Sequence, residues 1–242
     1  MDPRQAILWN RLGLGPIWTE RQAHGADQAV AEEPSLETAG RPEHAVARMG
    51  WDELERVVAA CTACGLCKGR TRTVFGVGSH VSEWMVIGEA PGAEEDLRGE
   101  PFVGQAGRLL DSILGAAGLG RTAGGHSAVY IANVVKCRPP GNRNPEPEEA
   151  ARCEPFLRRQ IELVRPRVIL LMGRVAAQAM LGTDASIASL RGHAHRIDVA
   201  GLSVPVIVTY HPAYLLRNLA DKAKVWADMC LAREVFDRTP TA

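Results

Sequence analysis

Short apolar runs alternate with segments of helical periodicity along this chain, and from residue 51 onward the alternation is regular. Apolar runs bounded by turn residues predict buried strands, whereas apolar residues spaced three and four apart predict helices. Strands are predicted at 84–88, Val129–Val135, Arg167–Met172 and Val204–Thr209. Helices are predicted at 51–60, about 105–117, Pro147 to about Val164, Arg174–Leu181 and about 221–237.

Strands separated by helices form mainly parallel sheets that helices cover on both faces. We therefore predict an α/β fold, a three-layer sandwich with a central, mainly parallel four-stranded sheet. Ligands bind such sheets beyond the carboxyl ends of the strands. The residues that follow Ile87, Ile131, Leu171 and Val208 are thus the first candidates for a functional site.

The first 50 residues follow a different pattern. Residues 1–22 contain a short amphipathic element, and residues 23–48 are rich in Ala, Glu, Gly and Pro without sustained periodicity. We predict an N-terminal extension and linker over 1–50, partly disordered, and one domain over 51–242. The amphipathic element is either a helix docked on that domain or a partner-binding peptide.

Charge and hydropathy restrict the function classes. Five of the 28 basic and seven of the 28 acidic side chains lie in residues 1–50, which leaves 23 and 21 for the rest. A strong polyanion binder is usually more basic, so any nucleic-acid contact must depend on a local patch. No apolar run of about 18 residues occurs, and the first stretch does not resemble a secretory leader. We expect a cytoplasmic protein without membrane contact.

Four of the six cysteines form two pairs, Cys61-x2-Cys64 and the more widely spaced Cys137 and Cys153. In a reducing compartment, paired cysteines are more often metal ligands than cystines. Four thiolates can hold zinc or an iron–sulfur cluster. The spacing alone leaves both open, along with thiols that bind no metal.

Unusual residues follow each predicted strand. The first strand leads into GEAPGAEED at 88–96 and then PFVG at 101–104. The second ends at Asn133, before the sequence KCRPP. Gly173 follows the third strand, and HPAYLLR at 211–217 follows the fourth.

In this order, over about residues 60–236, these motifs resemble the uracil-DNA glycosylase superfamily, and in particular its iron–sulfur-containing family 4. The resemblance implies an enzyme that flips uracil out of DNA and hydrolyses its N-glycosidic bond, leaving an abasic site and initiating base excision repair. It implies uracil-containing DNA, single- and double-stranded, as the partner, and we expect a monomer acting on nucleoid DNA.

An extruded uracil needs a flat side chain to stack on and an amide that reads its edge. Phe102 is the candidate for stacking and Asn133 for reading. His211 is the candidate donor to O2 of the departing uracil. Each has a plainer reading, as a core aromatic, a turn cap and a helix-start residue, but their coincidence at strand ends favours a site.

The first motif departs from the better-known glycosylases of the superfamily, which carry a water-activating Asp there. Ala90 stands at the equivalent position and is expected to line the pocket near the sugar. The water-positioning group is then one of Glu89, Glu95 and Asp96. We favour Glu89 and Glu95.

Contacts with DNA are expected to be local. Leu215 and Leu216 resemble a wedge that fills the place of the extruded base, although both could be buried helix positions. Arg217 can contact a phosphate, and Gly173 begins a helix whose amides can do the same. A basic patch is predicted at Lys136, Arg138 and Arg143.

The resemblance also implies a [4Fe–4S] cluster, with zinc as the alternative metal. Its implied ligands are Cys61, Cys64, Cys137 and Cys153. Cys67 does not match the family pattern and either stays a free thiol, which we favour, or substitutes for one ligand, whereas Cys230 is expected in the core.

Two other functions stay open. One is a uracil-DNA binder that traps its product covalently, as a related family with a Gln at the position of Ala90 and a basic loop insertion does. The segment 104–130 lacks such an insertion. The other is a non-catalytic iron–sulfur module, which the presence of Phe102, Asn133 and His211 disfavours.

Overall fold

The computed structural model describes residues 45–239. The predicted extension over 1–50 lies almost entirely outside these residues, so its two segments and the domain boundary at 51 stay predictions. Within 45–239, no helix combines the length and the apolar character that crossing a membrane requires.

Six strands form one sheet. They are β1 (Val77–Gly78), β2 (Trp84–Gly88), β3 (Val129–Asn133), β4 (Val168–Met172), β5 (Ala194–Val199) and β6 (Leu202–Thr209). Their order across the sheet is β1-β3-β2-β4-β6-β5, with the four central strands parallel and the two edge strands antiparallel. The predicted α/β fold with a mainly parallel sheet is confirmed. The four predicted strands are its centre, and β1 and β5 extend it at the edges.

Eight α-helices are present in the described part of the chain. They are α1 (Trp51–Ala59), α2 (Ala93–Arg98), α3 (Gln105–Ala116), α4 (Pro147–Val164), α5 (Arg174–Leu181), α6 (Ile187–Leu190), α7 (Pro212–Leu215) and α8 (Lys222–Arg238). The start of α4 follows from local chemistry, because Pro147 fits the first turn and the Glu149 carboxylate accepts the Glu146 amide at 2.8 Å. Apart from the two four-residue helices, α6 and α7, only α2 was not predicted.

The helices cover the sheet on both faces and make three layers. One face packs against α1, α4 and α5 and the other against α3, α7 and α8. Successive strand residues alternate between the two cores, so Met85 and Ile87 face the first and Trp84 and Val86 the second. Because both faces are covered, the central strands are buried along their length and appear in the sequence as continuous apolar runs.

The strand register aligns the carboxyl ends of neighbouring strands. Gly88 of β2 pairs with Asn133 of β3, and Met172 of β4 pairs with Thr209 of β6. The residues that leave these four strands are therefore neighbours at one edge of the sheet, although they are far apart in sequence.

Candidate active site

The carboxyl edge of the parallel strands opens into a pocket of about 390 Å³. A pocket at this edge is where α/β sheets bind their ligands. Seven of the predicted site residues line it, namely Glu89, Ala90, Glu95, Phe102, Asn133, His211 and Arg217. Gly173, Leu215 and Leu216 do not.

Asn133 lines this pocket, and its amide oxygen is buried. The residue is 2 % exposed, and its Oδ1 has no hydrogen-bond partner among residues 45–239. A β-carbon on Gly88 would lie 2.5 Å from this oxygen and 2.5 Å from Cζ of Phe102, so only glycine lets both side chains approach the strand end. An unpaired buried acceptor costs about 1–3 kcal/mol. A ligand that donates to Asn133 would recover that free energy.

Phe102 is held in a conformation that an aromatic residue rarely adopts. Its φ is 55°, and its ring stacks beside that of His211 with centroids 5.4 Å apart. The Arg121 guanidinium donates to the carbonyls of Pro101 and Phe102, both at 2.9 Å, and is itself paired with Asp111. Such backbone strain costs about 1–3 kcal/mol. Arg121 therefore stabilises the conformation that places the Phe102 ring in the pocket.

His211 is a neutral hydrogen-bond donor in this setting. Its Nδ1 accepts the Ala213 amide at 3.1 Å, so the single proton of the neutral ring belongs on Nε2. Burial lowers the pKa of His211 to about 4, aided by Arg217 and opposed by Glu95. Gly173, at a φ of 96°, makes room for the ring, since a β-carbon there would lie 3.0 Å from Cβ of His211.

The Glu89 carboxylate lies in the pocket and is partly buried. Burial raises its pKa above the ordinary value, and the positive charge of Arg174 opposes this shift. No hydrogen bond within the described residues engages the carboxylate oxygens. A partly buried carboxylate with open acceptor sites can position and deprotonate a water molecule.

The Glu95 carboxylate, in contrast, is occupied by backbone amides. Its Oε1 accepts from Val103 and Gly104, both at 3.0 Å, and its Oε2 accepts from Gly92 at 3.1 Å. Asp96 is also occupied, because its two oxygens accept the Thr71 amide at 2.9 and 3.0 Å. Through these contacts the Glu95 carboxylate stabilises the backbone that lines the pocket. Glu89 is therefore the better candidate for water positioning.

The structure corrects part of the predicted DNA contact. Leu215 is fully buried in the core with α3 and α8, so it cannot reach a base from this position. Leu216 is half-buried and Arg217 is exposed, and both stay candidates. The amide of Gly173 donates to Thr209 at 2.8 Å and is therefore not free for a phosphate.

Five cysteines surround one small pocket beside α4. They are Cys61, Cys64, Cys67, Cys137 and Cys153. Two N–H groups donate to sulfur, from Arg70 to Cys137 at 3.1 Å and from the Lys136 backbone to Cys153 at 3.3 Å. Cys67, expected to be free of the site, thus lies at its border.

The thiols around this pocket are donors of the kind that bind zinc or iron–sulfur clusters. Burial raises the pKa of Cys64, Cys137 and Cys153, the last to about 11, so a bound cation would have to stabilise their thiolates. Between residues 45 and 239, no three His, Cys, Asp or Glu side chains are arranged to hold one metal ion.

Two further expectations are wrong, namely Lys136 in a surface patch and Cys230 in the core. The predicted basic patch is therefore reduced. Lys136 is only 1 % exposed and cannot form a surface patch. Arg143 is engaged by Glu149 at 2.7 and 2.8 Å, which leaves Arg138 as the freer cation there. Cys230 is exposed on α8 and not in the core.

Comparison with known proteins agrees with this geometry. The model of the uracil DNA glycosylase superfamily matches residues 75–230. The chain is 44 % identical over 169 residues to a type-4 uracil-DNA glycosylase of Archaeoglobus fulgidus, which covers 68 % of this chain and 82 % of that protein. Identity to the type-4 enzyme of Thermotoga maritima is 46 % over 168 residues, or 69 % and 83 % of the two chains. For that of Pyrobaculum aerophilum it is 38 % over 187 residues, or 76 % and 93 %.

With its pocket at the strand ends, its cysteine set and these matches, the chain belongs to the uracil-DNA glycosylase superfamily and, within it, to the type-4 uracil-DNA glycosylases.

Proposed function

We propose that this protein removes uracil from DNA by hydrolysing the N-glycosidic bond, which leaves an abasic site for base excision repair. The observation that carries the proposal is Asn133 in a pocket formed by strand ends, with an amide oxygen that has no hydrogen-bond partner among residues 45–239. Its relatives are named as uracil-DNA glycosylases, which supports the same activity.

Base recognition follows from the chemistry of the pocket. Asn133 offers an acceptor for N3–H and a donor for O4 of uracil, whereas cytosine presents the opposite pattern at both positions. Phe102 supplies the stacking surface. Ala90 leaves space beside the base, and its methyl group has no acid–base function.

Bond cleavage needs stabilisation of the departing uracil anion and a positioned water. The Nε2–H of His211 is suited to donate to O2 as negative charge develops there. Glu89 orients the water and accepts its proton. Glu95 contributes indirectly, because its carboxylate accepts the amides of Val103 and Gly104, the two residues that follow Phe102.

DNA contact is assigned to the segment after His211. Leu216 would fill the gap left by the extruded base, and Arg217 would meet a phosphate. Since the base pocket and the Arg217 contact need only one strand, we propose that single- and double-stranded DNA are both substrates. We further propose that the protein acts as a monomer in the cytoplasm.

We also propose a [4Fe–4S] cluster bound by Cys61, Cys64, Cys137 and Cys153. The shared pocket and the N–H donors to sulfur support this ligand set. When bound, the cluster joins the loop after α1 to β3 and α4 and so braces the segment 138–152. Cys67 is the alternative fourth thiol because it borders the same pocket.

The test is incubation with a uracil-containing oligonucleotide, followed by alkali and a denaturing gel. DNA cleavage that appears only after the alkali step indicates a glycosylase. A covalently shifted band indicates the trapping binder, and intact DNA indicates a non-catalytic module. His211→Ala is the matched control, since it should preserve the fold and lose most of the cleavage.

A further inference from the structure

Lys136 is a buried cation between the pocket and the cysteines. It is 1 % exposed, and its Nζ donates to the backbone carbonyl of Asn133 at 2.8 Å and to Oε1 of Gln160 at 2.6 Å. Lysine is almost never buried this completely without a partner. The side chain therefore has a specific role in the interior.

Gln160 orients the ammonium group. Its Nε2 donates to the carbonyl of Phe75 at 3.0 Å and to the hydroxyl of Tyr130 at 2.9 Å. Because a carbonyl can only accept, the amide nitrogen of Gln160 must face Phe75, and its oxygen must face Lys136. The orientation of this buried chain of hydrogen bonds is thereby fixed.

Lys136 reaches the cysteine site through its main chain. The backbone amide of Lys136 donates to the sulfur of Cys153 at 3.3 Å. One residue thus contacts a proposed cluster ligand through its main chain and the proposed base reader through its side chain.

We propose that Lys136 is a positioning residue that fixes the Asn133 peptide for base reading and connects it to the cysteine site. The proposal rests on the proposed roles of Asn133 and of the cysteines. The Asn133 carbonyl belongs to the last strand residue, after which the chain leaves the sheet. Anchoring it limits rotation of the residue and keeps the side-chain amide aligned with the base.

The test is a double-mutant cycle with Lys136→Met and Asn133→Ala, measured as single-turnover cleavage of uracil-DNA and as affinity for free uracil. Methionine retains most of the buried volume and loses both hydrogen bonds. In the wild-type background we expect Lys136→Met to lower cleavage by about 10²-fold, the usual effect of a misplaced reacting group, and to weaken uracil binding. In the Asn133→Ala background it should have little further effect.

Leu157→Ala is the matched control, because it removes buried volume from α4 without touching the hydrogen bonds. It should lower the midpoint of urea unfolding and leave uracil affinity unchanged. If Lys136→Met lowers cleavage equally in both backgrounds, the inference is wrong and Lys136 is only structural. If Asn133→Ala cleaves like the wild type, the proposed base reader and the inference both fail.

The link to the cysteines has its own readout. In EDTA, Lys136→Met should lose iron and visible absorbance faster than the wild type, since the residue whose amide donates to Cys153 would no longer be anchored through its side chain. Loss at the wild-type rate would overturn this link. Wild-type protein that contains no iron would refute the cluster and this link with it, while the cycle would still test the action on Asn133.

Discussion

Replacing Glu89 with glutamine should separate the two carboxylates that the sequence could not rank. The Glu89 side chain has open acceptor sites in the pocket, whereas Glu95 is bound to three backbone amides. Glu89→Gln should therefore lower single-turnover cleavage and leave stability nearly unchanged. Glu95→Gln should lower stability first, and activity through the loss of the pocket wall.

The expected magnitudes follow from these contacts. A general base contributes about 10²–10⁴ in rate, and Glu89→Gln should lose a comparable factor. In Glu95→Gln an NH₂ group would face a backbone donor, and the other bonds would lose their charge assistance. A loss of about 1–3 kcal/mol is expected for such a buried contact. At about 2–4 °C per kcal/mol for a domain of this size, Tm should fall by roughly 2–12 °C.

The assay is cleavage of a single-stranded uracil oligonucleotide across pH, with thermal unfolding measured in parallel. Because the pKa of Glu89 is raised, the rate should decline on acidification at a higher pH than an ordinary glutamate would give, as the carboxylate gains its proton. The Glu89→Gln rate should lack this decline. The water-positioning role would be refuted if Glu89→Gln cleaved at the wild-type rate or kept the pH profile of the wild type.

Three further predictions concern the remaining groups. His211→Ala should lower single-turnover cleavage by about 10²–10³ with little change in affinity for uracil-DNA; a proportional loss of affinity would make it a positioning residue. Cys153→Ser should abolish the brown colour and iron content, and Cys67→Ser should keep both; a colourless wild type with stoichiometric zinc would refute the cluster. Leu216→Ala should weaken duplex binding and cleavage more than single-stranded cleavage. Leu215→Ala should instead lower the free energy of unfolding by about 2–5 kcal/mol, seen in urea denaturation.

The central fold was predictable because burial on both faces leaves a clear apolar signal. The edge strands gave no such signal. β1 has two residues, and β5, with the sequence AHRIDV, has only two buried positions. The acidic run in α2 suggested a water-positioning group, yet Glu95 and Asp96 accept hydrogen bonds from backbone amides outside α2. Such partners are set by tertiary structure.

The site residues, too, divide into those with a local sequence signal and those whose role is set by tertiary structure. Phe102, Asn133 and His211 were identifiable because each follows a predicted strand or matches an ordered motif. In contrast, adjacent leucines on a short helix do not indicate which one faces the core, and Leu215 does. Arg121 could not be singled out either, because its importance lies in the unusual backbone of Phe102, which the sequence does not specify.

The strand order also determines when the protein can become active during synthesis. Glu89 and Asn133 follow β2 and β3, but His211 follows β6, the last strand to be made. In the finished sheet β4 lies between β2 and β6, so the contacts that complete the pocket are non-local and form slowly. A nascent chain that ends at β4 already contains the proposed base reader but not the leaving-group donor. We therefore expect glycosylase activity only from chains whose final quarter has left the ribosome and joined the sheet.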